Sequence, residues 1–213
     1  MMIGSINDIK QQFRAQYSKG LPGRESLFKM AALKRSMIDI PVPPSAKESA
    51  VMEIIFPDKE NNWHIVFIQR VTHEKDRHSG QIGFPGGRKE ISDADLLETA
   101  IRECQEEVGV DIPEQAIIGA MTPFYIPVSG YYVQPYLSVL DTAPSFILQE
   151  SEVSRVLTIP LEHLMDQSIK GIINQKVSGG MNIIKVPYYD LYGDVLWGAT
   201  AMFSSELIDL LQQ

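Results

Sequence analysis

The order of strand-like and helical segments is the feature that most constrains the fold of this chain. Two runs rich in β-branched and aromatic residues, 51–56 and 64–69, are separated by the polar segment 57–62, which predicts a hairpin. One helix is predicted at about residues 93–108, and shorter strands follow at 117–123, 131–140, 156–159 and 182–191. Strands on both sides of a central helix, with another helix at the end, favour a mixed α/β sandwich over a doubly wound sheet.

The ends of the central helix carry their own sequence signals. Ser92, with Asp95 three residues later, predicts a capping box, and Gly109 is placed to end the helix in a left-handed turn. A last amphipathic helix is predicted near the end of the sequence, with its apolar side formed by Phe203, Leu207, Leu210 and Leu211.

The first forty residues are predicted to form a helical extension. Ser5 can cap a helix in which Ile6, Ile9, Phe13 and Tyr17 recur at helical spacing, and the segment 20–23 ends it. A second helix is predicted from about Glu25, and the Pro-dense segment 41–45 is a semi-rigid linker. These signals divide the chain into an extension, residues 1–40, and a main domain, residues 41–213.

Composition and charge exclude several classes of function. The 213 residues carry a net charge of -8, which argues against a nucleic-acid partner and against a polybasic membrane binder. A single Cys cannot form an intramolecular disulfide. The N-terminus has no apolar core of signal-peptide length, and no apolar run is long enough to span a membrane. We therefore expect a soluble cytoplasmic protein; its oligomeric state is open, with a homodimer as one alternative.

The central helix combines an apolar stripe with an acidic edge. On a helical wheel the side chains of the buried stripe are Leu97, Ile101, Cys104 and Val108. Glu103 and Glu107 lie about 40° apart on the flank of this stripe, and Glu106 lies nearly opposite it. Cys104 is therefore assigned to the core rather than to nucleophilic chemistry.

The acidic edge has two interpretations. Charge runs are commonly solvated helix faces, but this pair borders the apolar side and follows a glycine-rich loop. Mg²⁺ prefers oxygen ligands from one or two carboxylates plus water and substrate phosphate, so Glu103 and Glu107 are candidate metal ligands. Glycine at 87 lets the backbone approach a ligand closely. Arg102 can pair with Glu98 and Glu106, four residues away on either side, and so orient Glu106.

The same segment resembles the Nudix box, which reads Gly, five residues, Glu, seven residues, then Arg-Glu-apolar-x-Glu-Glu-x-Gly-apolar. Its second half is matched in full by Arg102-Glu103-Cys104-Gln105-Glu106-Glu107-Val108-Gly109-Val110. The first half departs from the pattern, because the acidic position counted from Gly87 holds Asp93 and eight residues then lead to Arg102. The role of Asp93 is therefore left open.

A wider signature is similar to the coenzyme A pyrophosphatase branch of the Nudix hydrolases. It consists of Arg70 and the segment Arg77-His78-Ser79-Gly80-Gln81-Ile82-Gly83-Phe84-Pro85-Gly86-Gly87. Further similar positions are Ser129-Gly130-Tyr131, Pro135, Glu152-Val153, Ile159-Pro160-Leu161, Gly193 and Trp197-Gly198-Ala199-Thr200-Ala201, so that the likeness covers about residues 43–211. The resemblance implies an α/β/α sandwich with a mixed sheet. It also implies Mg²⁺- or Mn²⁺-dependent cleavage of coenzyme A or acyl-coenzyme A into adenosine 3′,5′-bisphosphate and (acyl-)4′-phosphopantetheine.

Roles follow for individual residues. Glu103, Glu106 and Glu107 are the candidate metal ligands, and Glu106, Arg102 and Glu103 are the candidate catalytic residues, with Glu106 as general base. A Glu or His outside the box is the alternative base. The loop 69–89 holds five basic residues against two acidic ones, which favours phosphate binding over an ordinary charged loop. The candidate substrate-binding residues are Arg70, Arg77, His78, Gly86, Gly87 and Arg88.

Other functions are weighed against this one. The same chemistry on ADP-ribose, dinucleotides or nucleoside triphosphates is the near alternative, because the box sets the reaction and the surrounding loops set the substrate. A non-catalytic nucleotide sensor is disfavoured because Glu103, Glu106 and Glu107 are all present. His73 and His78 are spaced one residue too far apart for the helical zinc motif His-Glu-x-x-His, which excludes a zinc protease of that type.

Overall fold

The computed structural model describes residues 6–32, 40–72, 80–176 and 182–212. Its helices are α1 (Ile6–Lys19), α2 (Arg24–Phe28), α3 (Leu96–Val108), α4 (Leu161–Met165) and α5 (Gly198–Gln212). Its strands are β1 (Lys47–Pro57), β2 (Trp63–Arg70), β3 (Ile82–Gly83), β4 (Gly86–Arg88), β5 (Ile117–Ala120), β6 (Phe124–Ile126), β7 (Tyr131–Val139), β8 (Val153–Pro160), β9 (Lys170–Lys176), β10 (Asn182–Leu191) and β11 (Asp194–Trp197). None of the helices in these ranges is both long and apolar enough to cross a membrane.

Strand β1 is the centre of an eight-stranded mixed sheet. It pairs antiparallel with β2, where Ile55 lies opposite Ile65, and parallel with β7, where Glu53 lies opposite Leu137. The short strand β4 pairs antiparallel with the first half of β1, β8 pairs with β2, and β5 and β6 pair with β7. A separate antiparallel sheet is formed by β9, β10 and β11. The predicted hairpin and the mixed sheet are confirmed.

The two faces of this sheet are covered by different helices. Alternate residues of β1, among them Ala50, Met52 and Ile54, belong to the core shared with α3. Ile55, on the opposite face, belongs to a second core that includes Phe203 and Leu207 of α5. Because successive side chains of a strand point to opposite faces, β1 contributes to both cores, and the arrangement is the predicted sandwich.

The N-terminal helices pack onto the core of α5. Ile9 and Phe13 of α1 and Leu27 of α2 are buried there, and the Tyr17 hydroxyl donates to the carbonyl oxygen of Ala120 at 2.8 Å. The two predicted helices are therefore confirmed, although α2 is a short helix, Arg24–Phe28. The predicted cap at Ser5 lies outside the described residues, and the division of the chain at residue 40 stays a prediction.

The central helix begins later than predicted. Asp95, not Ser92, is its N-cap, and the Asp95 side chain accepts from the backbone N–H of Glu98 at 2.9 Å. Residues 93–95 therefore precede the helix, because Asp93 is engaged in other contacts described below. Gly109 ends the helix with a φ of 69°, as its position predicts.

Candidate active site

Helix α3 places its acidic edge against the first half of β1 and against β4. Its buried residues are Thr99, Ala100, Cys104, Glu107 and Val108, whereas Leu97 and Ile101 are only partly buried. The buried face of α3 is therefore rotated about the helix axis from the face that the helical wheel predicts. It includes Glu107, for which the wheel predicts only partial burial. Cys104 lies in the core as predicted, and burial raises the pKa of its thiol well above the usual value.

Glu107 is a buried carboxylate with two partners. Its side chain is 1% exposed and accepts from the backbone N–H of Gly86 at 2.8 Å and from Arg70 Nη1 at 3.1 Å. Burial raises the pKa of Glu107 to about 7. The Gly86 N–H and the Arg70 charge act against this rise in the pKa, and the charges of Glu103 and Glu152 add to it.

The two glycines of β4 allow the sheet and the helix to approach each other. Gly86 has a φ of 152°, and a Cβ there would lie 2.3 Å from the carbonyl oxygen of Ala50. A Cβ at Gly87 would lie 2.4 Å from Cδ of Glu103, which means that the Glu103 carboxylate occupies the space that a side chain would take. The predicted close backbone approach at Gly87 is therefore used by Glu103 itself.

Arg102 connects the carboxylates of the site. Its Nη1 donates to Glu103 at 3.0 Å and to Glu106 at 2.8 Å, and its Nη2 donates to the carbonyl oxygen of Arg88 at 3.1 Å. The predicted pair with Glu106 is confirmed. The predicted pair with Glu98 is wrong, because the Glu98 carboxylate accepts instead from the backbone N–H of Ala94 at 2.6 Å, just before the helix.

Asp93 anchors Arg102, a role that the sequence left open. Its side chain accepts from Arg102 Nε at 2.9 Å and Nη2 at 3.0 Å, and also from Thr99 Oγ1 and the backbone N–H of Glu90, both at 2.9 Å. The hydrogen bonds from Arg102 are the main reason that the pKa of Asp93 lies well below its usual range. The resulting bidentate ion pair fixes the guanidinium that orients Glu103 and Glu106.

Glu152 is an acidic residue near the site whose importance the sequence analysis missed. Hydrogen bonds hold its loop in place: Gln149 N–H donates to Glu107 O at 3.1 Å, Glu152 N–H to Gln149 O at 2.9 Å, and Val71 N–H to Glu152 O at 2.8 Å. Burial is the main cause that raises the pKa of Glu103 and of Glu107, and the charge of Glu152 adds to both rises. Its signal in the sequence is its place in Glu152-Val153, one of the positions similar to the coenzyme A pyrophosphatase branch.

The donor set suits a hard divalent cation, although the carboxylates are engaged by arginines. In the described ranges no three His, Cys, Asp or Glu side chains converge as a ready-made ion site. Glu103 and Glu106 are held by Arg102, and Glu107 is held by Arg70. Glu103 and Glu107 nevertheless lie on successive turns of α3, beside Gly86 and Gly87 of β4. Cation binding there would offset the cost of burying the Glu107 charge.

The predicted substrate-binding residues are only partly brought together. Gly86, Gly87 and Arg88 form β4 beside the acidic edge, and the Arg88 side chain is exposed. Arg70 lies at the end of β2 and contacts Glu107. Arg77 and His78 lie outside the described residues.

Comparison with known proteins gives a consistent match. The family model described as the NUDIX domain matches residues 46–173. The human protein named mitochondrial coenzyme A diphosphatase NUDT8 is 31% identical over 149 residues, which are 69% of this chain and 62% of that protein. The uncharacterized Nudix hydrolase NudL of Salmonella newport (strain SL254) is 30% identical over 143 residues, 67% of this chain and 72% of that protein. This chain therefore spans less than two thirds of the length of the human relative.

One solved structure supports the fold over nearly the whole chain. It is the crystal structure of a MutT/nudix family protein from Enterococcus faecalis, with a TM-score of 0.53 and 17% sequence identity. The match covers 99% of this chain and 73% of that chain. At this level of identity the likeness concerns the fold alone.

Proposed function

Because this chain belongs to the Nudix hydrolase family, we propose that it hydrolyses the diphosphate bond of coenzyme A or an acyl-coenzyme A. The products are adenosine 3′,5′-bisphosphate and 4′-phosphopantetheine, which carries the acyl group when a thioester is cleaved. The observation that carries the proposal is the acidic edge of α3 at β4, where Glu103 lies against Gly87 and Glu107 contacts Arg70 and the Gly86 N–H. The likeness to a human coenzyme A diphosphatase supports the choice of substrate.

We assign Mg²⁺ or Mn²⁺ to Glu103 and Glu107, with Glu106 as a further ligand. A bound divalent cation neutralises the charge on the diphosphate oxygens, polarises phosphorus and acidifies a water molecule. Without such a cation the carboxylates would repel the substrate. The acidic character of the site and the general use of divalent cations by Nudix hydrolases support this assignment.

The side chains around this edge have separate tasks. Asp93 holds the Arg102 guanidinium, and Arg102 in turn holds Glu106 at 2.8 Å. Glu106 is 56% exposed, so its carboxylate can reach solvent and accept the proton of the attacking water as general base. Glu152 is the acid outside the box that can take this role instead, because its charge already acts on Glu103 and Glu107.

We assign phosphate binding to the basic residues of β4 and of the sequence that precedes it. Arg88 lies at the end of β4 with an exposed side chain, and Arg77 and His78 belong to the same basic loop in the sequence. Arg70 can serve both the substrate and the Glu107 carboxylate, which it contacts at 3.1 Å. Arginine suits this role because its planar fork matches phosphate oxygens.

The test is product identification by mass spectrometry. The purified chain is incubated with Mg²⁺ and separately with coenzyme A, acetyl-coenzyme A, ADP-ribose, NADH and a nucleoside triphosphate. We expect coenzyme A and its thioester to be cleaved fastest, with the two products named above. Faster cleavage of ADP-ribose or NADH would overturn the substrate assignment, and no cleavage of any of these would overturn the proposed function.

A further inference from the structure

A buried glutamate on β1 has no hydrogen-bond partner. Glu53 is 0% exposed, and neither of its carboxyl oxygens is hydrogen-bonded within the described part of the chain. It lies on the sheet face opposite α3, because its neighbours Met52 and Ile54 belong to the α3 core. It is therefore separate from the acidic edge of the candidate active site.

A second buried glutamate, whose charge acts on Glu53, ties α2 to the loop that follows β5. Glu206 of α5 is 0% exposed and accepts from the backbone N–H of Gly23 at 2.9 Å, just before α2. It also accepts from the backbone N–H of Thr122 at 3.0 Å and from the Thr122 hydroxyl. Glu206 therefore links α2 to the loop that follows β5. We refer to Glu53 and Glu206 as the buried acid pair.

The two members of the buried acid pair differ in how well a negative charge is supported. Glu206 has three donors directed at its carboxylate. Glu53 has none, and the charge of Glu206 acts on it. Two ionised carboxylates in one apolar core are costly, and a single proton on the unsupported member removes most of that cost.

We propose that Glu53 holds a proton in the folded protein, and that its ionisation at alkaline pH releases α2 from α5. The release follows because a charge on Glu53 repels Glu206, whose carboxylate accepts the hydrogen bond of Gly23. Ser26 of α2 and Lys29, the residue after α2, also contact Asp209 of α5, so that the Gly23 bond is one of several attachments. Helix α2 should therefore loosen before the whole domain unfolds.

The direction of the pH effect follows from the surroundings of Glu53. Burial, and secondarily the charge of Glu206, raise the pKa of Glu53 well above its usual value. The folded state therefore binds a proton that the unfolded chain has lost, and stability falls as pH rises above the ordinary carboxyl value. The other ionisable residues of α1, α2 and α5 whose side chains the structure describes are Lys10, Arg14, Tyr17, Lys19, Arg24, Glu25 and Asp209. Lys29 follows α2, Tyr131 of β7 and Tyr189 of β10 belong to the same core, and Lys170 of β9 lies over the Tyr189 ring.

The protonation of Glu53 is tested directly on the intact protein. Glutamate labelled with ¹³C at the carboxyl carbon is incorporated, and each carboxyl is titrated by NMR at neutral and alkaline pH. We expect one glutamate, absent from the spectrum of Glu53→Gln, to stay protonated at neutral pH. If every glutamate is ionised by about pH 6, the proposal is wrong, whether or not the variant folds.

The release of α2 from α5 is tested by hydrogen exchange. Between about pH 6 and pH 9, amides of α2 in the wild type should gain about tenfold in exchange rate beyond the intrinsic chemical effect. Glu53→Gln should remove this gain, and the control Glu48→Gln, at an exposed position of the same strand, should keep it. An equal gain in Glu53→Gln would overturn the proposal. Neither readout uses catalysis, so the result is independent of the proposed function.

Discussion

Replacement of Gly87 by Ala tests how closely the active site is fitted around Glu103. The added Cβ would lie 2.4 Å from both Cδ and Oε1 of Glu103, whereas ordinary contacts begin at 3.4 Å. The carboxylate must therefore move by about 1 Å, and a displacement of that size can lower a rate by about a hundredfold. The fold should tolerate the change, because the clash involves the far end of a flexible side chain rather than the backbone.

The assay compares kcat/KM for coenzyme A hydrolysis with Mg²⁺ and the Tm of each variant. Gly83→Ala is the matched control, since among the described residues a Cβ there would meet only Thr200 Oγ1, at an ordinary 3.8 Å. We expect a loss of about a hundredfold in kcat/KM for Gly87→Ala, a near-normal value for Gly83→Ala, and similar Tm values for both. A near-normal rate for Gly87→Ala would refute the claim that the position of Glu103 is catalytically important.

Three further predictions concern α3 and the residues that hold it. Asp93→Asn should lower the free energy of unfolding by about 3 kcal/mol in urea, because it breaks a largely buried ion pair. Asp95→Asn, which keeps an N-cap, should cost much less. The pKa of Asp93 is lower in the folded protein than in the unfolded chain, so Asp93 stabilises the fold above about pH 4 and loses this effect as pH falls. Asp93→Asn should therefore weaken the fall of Tm with decreasing pH below about pH 4. An unchanged fall of Tm would contradict this. Glu107→Gln should lower turnover by at least about a hundredfold while the exposed control Glu98→Gln does not, and near-normal turnover would remove the metal assignment. Cys104 should resist alkylation until denaturant unfolds the protein, and rapid labelling of the native state would show that the assigned core is wrong.

Features set by local sequence were predicted well. The hairpin of β1 and β2 follows from two β-branched runs around a polar segment, and Gly109 ends α3 in the left-handed conformation. The pair between Arg102 and Glu106 follows from their spacing of four residues on a helix. In each case the physical cause lies within a few residues of the chain.

Features set by tertiary contact could not be predicted in the same way. The start of α3 depends on Asp93, which leaves the helix to bind Arg102. The depth of Glu107 depends on how α3 is turned against β1, and Glu152 approaches the site because its loop bonds to the end of α3. Glu53 interrupts the otherwise apolar run 50–56 of β1, and the sequence pattern offers no reason for its burial.

The proposed function depends on Glu103 and Glu107 together holding a divalent cation beside the diphosphate. The most direct measurement is anomalous X-ray scattering from crystals soaked in Mn²⁺. We expect an anomalous peak at a direct coordination distance, about 2.0–2.2 Å, from carboxylate oxygens of both residues. We also expect at least one of the ion pairs Arg70–Glu107 and Arg102–Glu103 to be broken in the loaded crystal. A fully loaded crystal in which the cation lies elsewhere, and in which both carboxylates remain bound to arginine, would contradict the account.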